Sequence, residues 1–499
     1  MVQKQSVKRI EKFINSWNEE TIIDHLPFDK QFQIESIPLW WFYRRLIVRH
    51  VLPKQLNTYN SLYTEKPLTM AERGKLTFVS KILPRYFLQR EYHKISWIHK
   101  HSTFHAEKIQ RDSLDKNKEK SQKTILFLTY SNHISSENTL FRLEKVISEL
   151  KSRKNIKELP LFVDPLSHNT YKEIRHQNTI YHYINADLNK EAEEKACYLN
   201  KKWREINHDM KKEIFLLEGK DLWSYLKYGL NFFFSKESIH LTYLYYLAFK
   251  RIITEENIKV VVVTGTGSLF EKCLFAAAKS LDVPIVAIAH GIGKEALNPD
   301  PIFPMKMAVF SNLYKEKLIT AGMSEEDIIV VGPVIYDKII PFRKQKEEKE
   351  RNVVIATSPY IETGKVSKEE YFRRIFIVLE KINQVSGVNV AIKLHPRETH
   401  YQDYVNLIKE RSLSPVTIHP PNLSREEFYS LINNADCFVH FGSNVSAEAM
   451  IIDRPVVTLD LIGDIYPIDH WLYGIDTSTA ALEVSIYGNI KEVILQAFE

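Results

Sequence analysis

The sequence predicts an α/β chain in which two doubly wound parallel sheets follow one another behind a basic, helical lead-in. Three observations carry that prediction. From Thr124 onward, short runs of β-branched and aliphatic residues alternate with segments of helical spacing. The alternation is interrupted by the charge run Phe342–Arg351 and then restarts. The first 120 residues hold 22 Lys and Arg against 13 Asp and Glu, while the other 379 hold 46 against 49, so the basic character belongs to the lead-in.

In chain order, residues 1–122 form the lead-in, expected to be helical and to close with the polar linker His101–Gln122. Its aromatics stand beside its charges, as in Leu39-Trp40-Trp41-Phe42-Tyr43-Arg44-Arg45 and again over Ile82–Leu88. Such a pattern suits an interfacial helix on an anionic membrane surface, and equally a helix packed on the next domain. A first Rossmann-like domain is expected over 123–341. Its strands are Thr124–Tyr130, Leu159–Val163, Thr179–Ile184, Ile258–Thr264, Pro284–Ala289, Met307–Phe310 and Ile328–Val331. Its helices are Asn138–Leu150, most of 188–256, Leu269–Ser280 and Asn312–Ala321. A second Rossmann-like domain is expected over 352–499, with strands Asn352–Ala356, Val388–Leu394, Val416–Ile418, Cys437–Phe441 and Pro455–Leu459. The helices between them are Lys368–Gln384, Tyr401–Glu410, Ser424–Asn433 and Val445–Ile452. Strands that read as continuous apolar runs are those of a parallel sheet covered on both faces.

The composition excludes several classes. At 44% apolar and 26% charged residues the chain is neither disordered nor fibrous. No apolar run approaches the ~20 residues of a membrane span, and the start lacks a signal-peptide core. Cys197, Cys273 and Cys437 are too few for a disulfide framework or a zinc knuckle, and each reads as a small buried residue in a reducing compartment. A small charge excess without a recognition motif argues against nucleic acid. The expected location is the cytoplasm, either free or peripheral on the inner membrane face.

Ligands of doubly wound sheets bind beyond the carboxyl ends of the strands, so the loops there are the places to look. Gly265-Thr266-Gly267-Ser268 follows a strand and opens a helix, but Phe270 stands where a dinucleotide fingerprint needs its third glycine. Gly291-Ile292-Gly293 fits the spacing, yet Pro299, Pro301 and Pro304 follow where a helix is required. Gly265 and Gly267 can still admit an anion to the amides at Ser268, or simply make a tight turn. There is no P-loop and no Asp-x-Asp triplet, so no metal is expected at a donor site. Lys393-Leu394-His395-Pro396-Arg397-Glu398 ends a strand and offers His395 and the bidentate Arg397 to a phosphate or carboxylate. His440-Phe441-Gly442-Ser443-Asn444-Val445-Ser446-Ala447-Glu448 ends another. Free amides and the Ser443 hydroxyl at that helix start suit a diphosphate, with Glu448 one turn on to accept ribose hydroxyls.

Leu394-His395-Pro396, Gly442-Ser443-Asn444-Val445-Ser446-Ala447-Glu448-Ala449 and Arg454-Pro455-Val456-Val457 together resemble the donor domain of GT-B glycosyltransferases. The nearest types are capsule polymerases, polysialyltransferase-like enzymes and CDP-glycerol transferases, and the non-hydrolysing UDP-GlcNAc 2-epimerases share the architecture. The motifs fall within 357–460, which brings Thr357 and Ser358 into the expected donor site beside His395, Arg397, Gly442, Ser443, Asn444, Ser446 and Glu448. The resemblance implies phosphate binding by His395, Ser443 and Asn444 and ribose binding by Glu448. Retaining members carry a Glu eight positions before the Glu of the Glu-Ala-Met segment. Here that position is His440, so inversion is expected.

The first sheet is expected to supply the acceptor side. Base candidates are Glu137 and His133 in the loop after its first strand, and His290 after Ala289. Closure of a cleft between the domains would use the linker around Lys344–Arg351. The sequence therefore leads to an inverting transferase that needs neither metal nor cofactor. It would take a nucleotide-activated sugar and pass the sugar to a polysaccharide or glycolipid acceptor. CDP-alcohol phosphotransfer, nucleotide-sugar 2-epimerisation and a non-catalytic assembly partner are the alternatives.

Overall fold

The computed structural model describes residues 22–23, 26–46, 123–130, 143–153, 156–163, 178–217, 220–221, 223–289, 304–332, 336–337, 339–343, 351–363, 365–411, 413, 415–443, 445–464 and 481–499. Two six-stranded sheets organise them.

The first sheet comprises β1 (Lys123–Thr129), β2 (Ile156–Phe162), β3 (Ile258–Val263), β4 (Ile285–Ile288), β5 (Lys306–Val309) and β6 (Ile328–Val330), in the order β6-β5-β4-β3-β1-β2. The pairs β1–β2, β1–β3, β3–β4 and β5–β6 are parallel. Phe127 and Val262 pack with Leu143, the N-cap of α2 (Glu144–Lys151), and with Ile147 within it. The polar-to-aromatic stretch after β2 folds as α3 (Ala186–Glu205), α4 (His208–Ile214), α5 (Trp223–Phe233) and α6 (Lys236–Glu255). The last of these packs on α3 and on α7 (Leu269–Ser280). Asn185, Asn207 and Ser235 each cap a helix by accepting the amide three residues on, which explains why these helices begin where they do.

The second sheet comprises β7 (Arg351–Ala356), β8 (Val388–Lys393), β9 (Val416–His419), β10 (Cys437–His440), β11 (Val456–Asp460) and β12 (Leu482–Ser485), in the order β9-β8-β7-β10-β11-β12. Every pairing in it is parallel. Successive residues of a strand face opposite sides, and the cores follow that rule. Val353 and Ile355 pack with α8 (Lys368–Asn383) and α9 (Tyr401–Glu410), whereas Val354 and Ala356 pack with α10 (Arg425–Asn433) and α11 (Val445–Ile451). Two covered faces are why the strands read as unbroken apolar runs in the sequence. The strand order reverses between β7 and β10, which makes their carboxyl ends the switch point of the sheet.

Three expectations are corrected, and the two readings of the lead-in aromatics are decided in favour of packing. Thr179–Ile184 is a 3-10 turn over Ile180–Tyr183, touching the sheet through a single bridge from Phe162 to Thr179. Its side chains bury as a strand's would, but Thr179 caps the turn through His182 and diverts the backbone. The described part of the lead-in is not wholly helical: two-stranded pairs Ile22–Ile23 with Leu26–Pro27 and Gln33–Ile34 with Ile37–Pro38 precede α1 (Leu39–Leu46). Trp40, Trp41, Phe42 and Tyr43 are buried, so they do not face a membrane. Tyr43 donates to Ser238 O at 2.6 Å and stacks on Phe233, while Lys272 donates to Trp41 O at 2.6 Å. Finally, Cys273 and Cys437 are buried as expected but Cys197 is exposed, because it lies on the outer face of α3. Ile82–Leu88, the linker 101–122 and Lys344–Glu350 lie outside the described residues. Among the described residues no helix is long and apolar enough to cross a membrane.

Candidate functional site

Register across the second sheet brings its informative loops together. Ala356 stands opposite Lys393 on one side and His440 on the other, and His440 stands opposite Thr458. The residues that follow these strand ends are therefore neighbours at one edge: Thr357 and Ser358 after β7, Leu394 and His395 after β8, Phe441 to Ser443 after β10.

The loop after β8 is a closed turn. Glu398 N donates to His395 O at 2.9 Å across Pro396, whose ring pre-sets the second position of a β-turn. His395 N donates in return to Glu398 Oε2 at 2.6 Å and to Thr357 Oγ1 at 3.0 Å. His395 Nδ1 accepts from Arg397 N at 3.1 Å, which leaves the proton of a neutral ring on Nε2. Burial, then the nearby Lys393 and Arg397 charges, lower His395 to about 4. At neutral pH it is an uncharged N–H donor, not a cation. The Arg397 residue is exposed beside it.

The loop after β10 is built differently from the sequence expectation. Gly442 has a φ of +84°, a left-handed conformation that a side chain would strain. The chain doubles back there, so Gly442 N and Ser443 N both donate to His440 Nδ1, at 3.2 and 3.1 Å. These amides are not free, as they were expected to be. His440 sits fully buried inside the sheet with Nε2 3.0 Å from Thr458 Oγ1, and burial lowers it to about 4. The residue that replaces the retaining-type acid is thus a neutral clip on the Gly442–Ser443 turn. Ser446 Oγ donates to Ser443 O at 3.0 Å and tightens the same turn.

Between these loops, Ser358 Oγ donates to Phe441 O at 3.0 Å and Tyr360 O–H donates to the same carbonyl, tying β7 to β10. Thr357 and Ser358 are both buried, and their hydroxyls are engaged within the protein: Thr357 donates to Glu398 and to Lys393 O. Glu448 lies in the first turn of α11. Burial pushes it up to about 7, held back by the charges of Lys393 and Arg425. Lys393 is itself buried, lies over the Phe428 ring, and is lowered by burial. Tyr336 and Tyr429 are raised by burial and by Glu448, so this acid, a lysine and two phenols share one electrostatic environment.

His395, Arg397, Thr357, Ser358, Gly442, Ser443, Ser446 and Glu448 are therefore all carried by the β7, β8 and β10 ends or the helix start beside them. Gly265 and Gly267 are not among them, since they follow β3 in the first sheet. The Ser268 helix start is occupied by its own capping box, with Ser268 N donating to Glu271 Oε2 at 2.8 Å and Glu271 N to Ser268 Oγ at 3.2 Å. A Cβ on Gly265 would meet Glu271 Oε1 at 2.6 Å, so this glycine makes room for that carboxylate. Tyr130 O–H reaches Ser268 Oγ at 2.7 Å in the same cluster. Glu137, His133, His290 and Asn444 lie outside the described residues. Sequence reasoning passed over Glu398, Tyr371 and Tyr404. The first had a signal, since an acid three residues after His395 can close a turn. The two tyrosines had none.

The strand order of the second sheet, three strands outward from β7 and then three more beginning at β10, is that of a dinucleotide-type domain, and a second parallel sheet precedes it. The fold is GT-B-like. The profile of the UDP-N-acetylglucosamine 2-epimerase family matches residues 216–461, just under half of the chain and including the β7, β8 and β10 ends. No curated protein matches the sequence. Among solved structures, the GT-B-like fold is similar to a UDP-GlcNAc 2-epimerase from Methanocaldococcus jannaschii, at 16% identity and a TM-score of 0.45 over 75% of this chain and 91% of that one. A putative UDP-N-acetylglucosamine 2-epimerase from Listeria monocytogenes matches at 12% identity and a TM-score of 0.46, covering 75% and 88%. MurG from Acinetobacter baumannii matches at 12% identity and a TM-score of 0.41, covering 76% and 90%.

Proposed function

We propose that this protein is a sugar transferase that holds a nucleotide-activated donor on its second sheet and passes the sugar to a polysaccharide or glycolipid acceptor, without a metal. The observation that supports this most is the register of Ala356, Lys393 and His440. It gathers the turns containing His395 and Gly442–Ser443 at the switch point of a parallel sheet. In this reading the neutral His395 donates its Nε2–H to the departing diphosphate, and Arg397 supplies charge from the exposed side. Glu448, once ionised, accepts from the ribose hydroxyls. The proton of the acceptor hydroxyl goes to a base, for which Glu137, His290 and His133 are the candidates. A CDP-alcohol donor would use the same phosphate contacts.

Epimerisation at C2 of a nucleotide sugar is the second reading, favoured by the family profile over 216–461. Two measurements separate them. Calorimetric titration with UDP, CDP, CMP and GDP, without and then with magnesium, identifies the donor class. NMR of UDP-GlcNAc incubated with the protein alone then reads the chemistry: conversion to its C2 epimer establishes the epimerase, and transfer only when a glycan acceptor is added establishes the transferase. Absence of binding by all four nucleotides refutes both and favours a non-catalytic partner.

A further inference from the structure

We propose that Glu398 is the positioning residue of this nucleotide site, fixing His395 and Thr357 through a carboxylate that Tyr371 and Tyr404 hold from behind. The inference rests on the reading of the second sheet as a nucleotide-binding sheet. Glu398 is only 5% exposed, although it follows an exposed Arg397 and precedes an exposed Thr399. A carboxylate is rarely drawn inward from a surface turn unless donors await it. Four are present. Oε2 accepts from His395 N at 2.6 Å and from the Thr357 hydroxyl, and Oε1 accepts from Tyr404 O–H at 3.0 Å and Tyr371 O–H at 3.2 Å. The two phenols lie 2.9 Å apart and are themselves buried on α8 and α9. Burial raises the Glu398 carboxyl, and the Thr357, His395 and Tyr404 donors pull it back.

The chain of contacts links four separate pieces of sequence: β7 through Thr357, α8 through Tyr371, the β8 turn through His395 and Glu398, and α9 through Tyr404. A turn closed only by Glu398 N and His395 O could still rotate its imidazole. Glu398 fixes the backbone at both ends of the turn, and with it the Arg397 amide from which His395 Nδ1 accepts, so the imidazole is oriented through the turn. Glu398 touches no ligand itself in this arrangement. Its effect on nucleotide binding would pass through the orientation of His395.

The test is calorimetric titration of the full chain with UDP, CDP, CMP and GDP, comparing wild type, Glu398→Gln, His395→Ala and the double variant. Glu398→Gln gives up one of the two acceptor oxygens, and about a tenfold loss of affinity is expected in the wild-type background, the scale of one charge-assisted hydrogen bond. Less than a twofold further loss is expected once His395 is alanine, which a merely structural role would not produce. Binding by Glu398→Gln equal to wild type overturns the proposal, as does the same loss in both backgrounds. If Glu398→Gln does not fold, Tyr404→Phe removes one donor at nearly constant volume and decides the question by the same comparison. Failure of wild type to bind any of the four nucleotides overturns the nucleotide reading itself, a result distinct from wild-type binding that is insensitive to Glu398.

Discussion

Replacing Glu448 by Gln should make the protein more stable at pH 8 than wild type, by a margin that shrinks as the solution is acidified. Burial carries this carboxyl from an ordinary value of 4.5 up to about 7. A raised value means that the folded state favours the protonated form. The destabilisation is therefore absent below about pH 4, grows as pH rises from 4.5 toward 7, and is constant above. The full shift corresponds to about 3 kcal/mol at 1.36 kcal/mol per unit, and partial exposure of the residue reduces this to roughly 2 kcal/mol. Urea denaturation of wild type and Glu448→Gln at pH 5, 6, 7 and 8 measures the difference directly. The stability gap should widen by about 1.5 kcal/mol from pH 5 to pH 8, since part of the effect is already present at pH 5. Parallel profiles for the two proteins would refute the reasoning, because an acid already ionised at pH 5 in the fold has no such linkage. The same ionisation tests the proposed role of Glu448: an acceptor of ribose hydroxyls works best as the carboxylate, so on that proposal nucleotide affinity should rise through pH 7 in wild type and stay flat in the variant.

Two further substitutions probe the scaffold. His440→Ala strands the Gly442 and Ser443 amides and the Thr458 hydroxyl, and should cost about 2 kcal/mol in urea denaturation, with no change refuting the clip. Because burial lowers His440 to about 4, its neutral form stabilises the fold above its ordinary value of 6.5. That contribution should fade in wild type as pH drops from 6.5 toward 4, a loss the alanine variant should lack. Arg374→Met removes a buried guanidinium that donates to Leu461 O at 2.8 Å and to Asp464, and should cost about 3 kcal/mol, with a shift under about 0.5 kcal/mol refuting it as an anchor of the loop after β11.

Much of the fold was legible because period and composition are local properties. Leu269–Ser280 and Tyr401–Glu410 match their predicted helices residue for residue, and Ser424 is the cap of the helix it was expected to begin. Apolar runs such as Val353–Ala356 announced a parallel sheet because both faces are covered. Thr179–Ile184 failed because apolar burial does not distinguish a strand from a buried turn, and a capping interaction with His182 decided between them. The lead-in aromatics could be read two ways, since a sequence does not say which face is wet. Lys272 and Ser238 answered from more than 190 residues away, the first by donating to Trp41 O and the second by accepting from Tyr43 O–H.

The site divides along the same line. The sequence determined which residues could serve a phosphate and that they follow strands: His395 behind a proline turn, and a Gly-Ser turn before a short helix. Only the tertiary structure decided what those groups have left to offer. It engaged the Gly442 and Ser443 amides with His440, neutralised His395 by burial, and set Glu398 in a cage of tyrosines from two helices. Hydrogen-bond satisfaction and desolvation depend on what surrounds an atom in three dimensions, and part of those surroundings comes from distant segments: Thr357 meets Lys393 O from 36 residues away and Ser358 meets Phe441 O from 83.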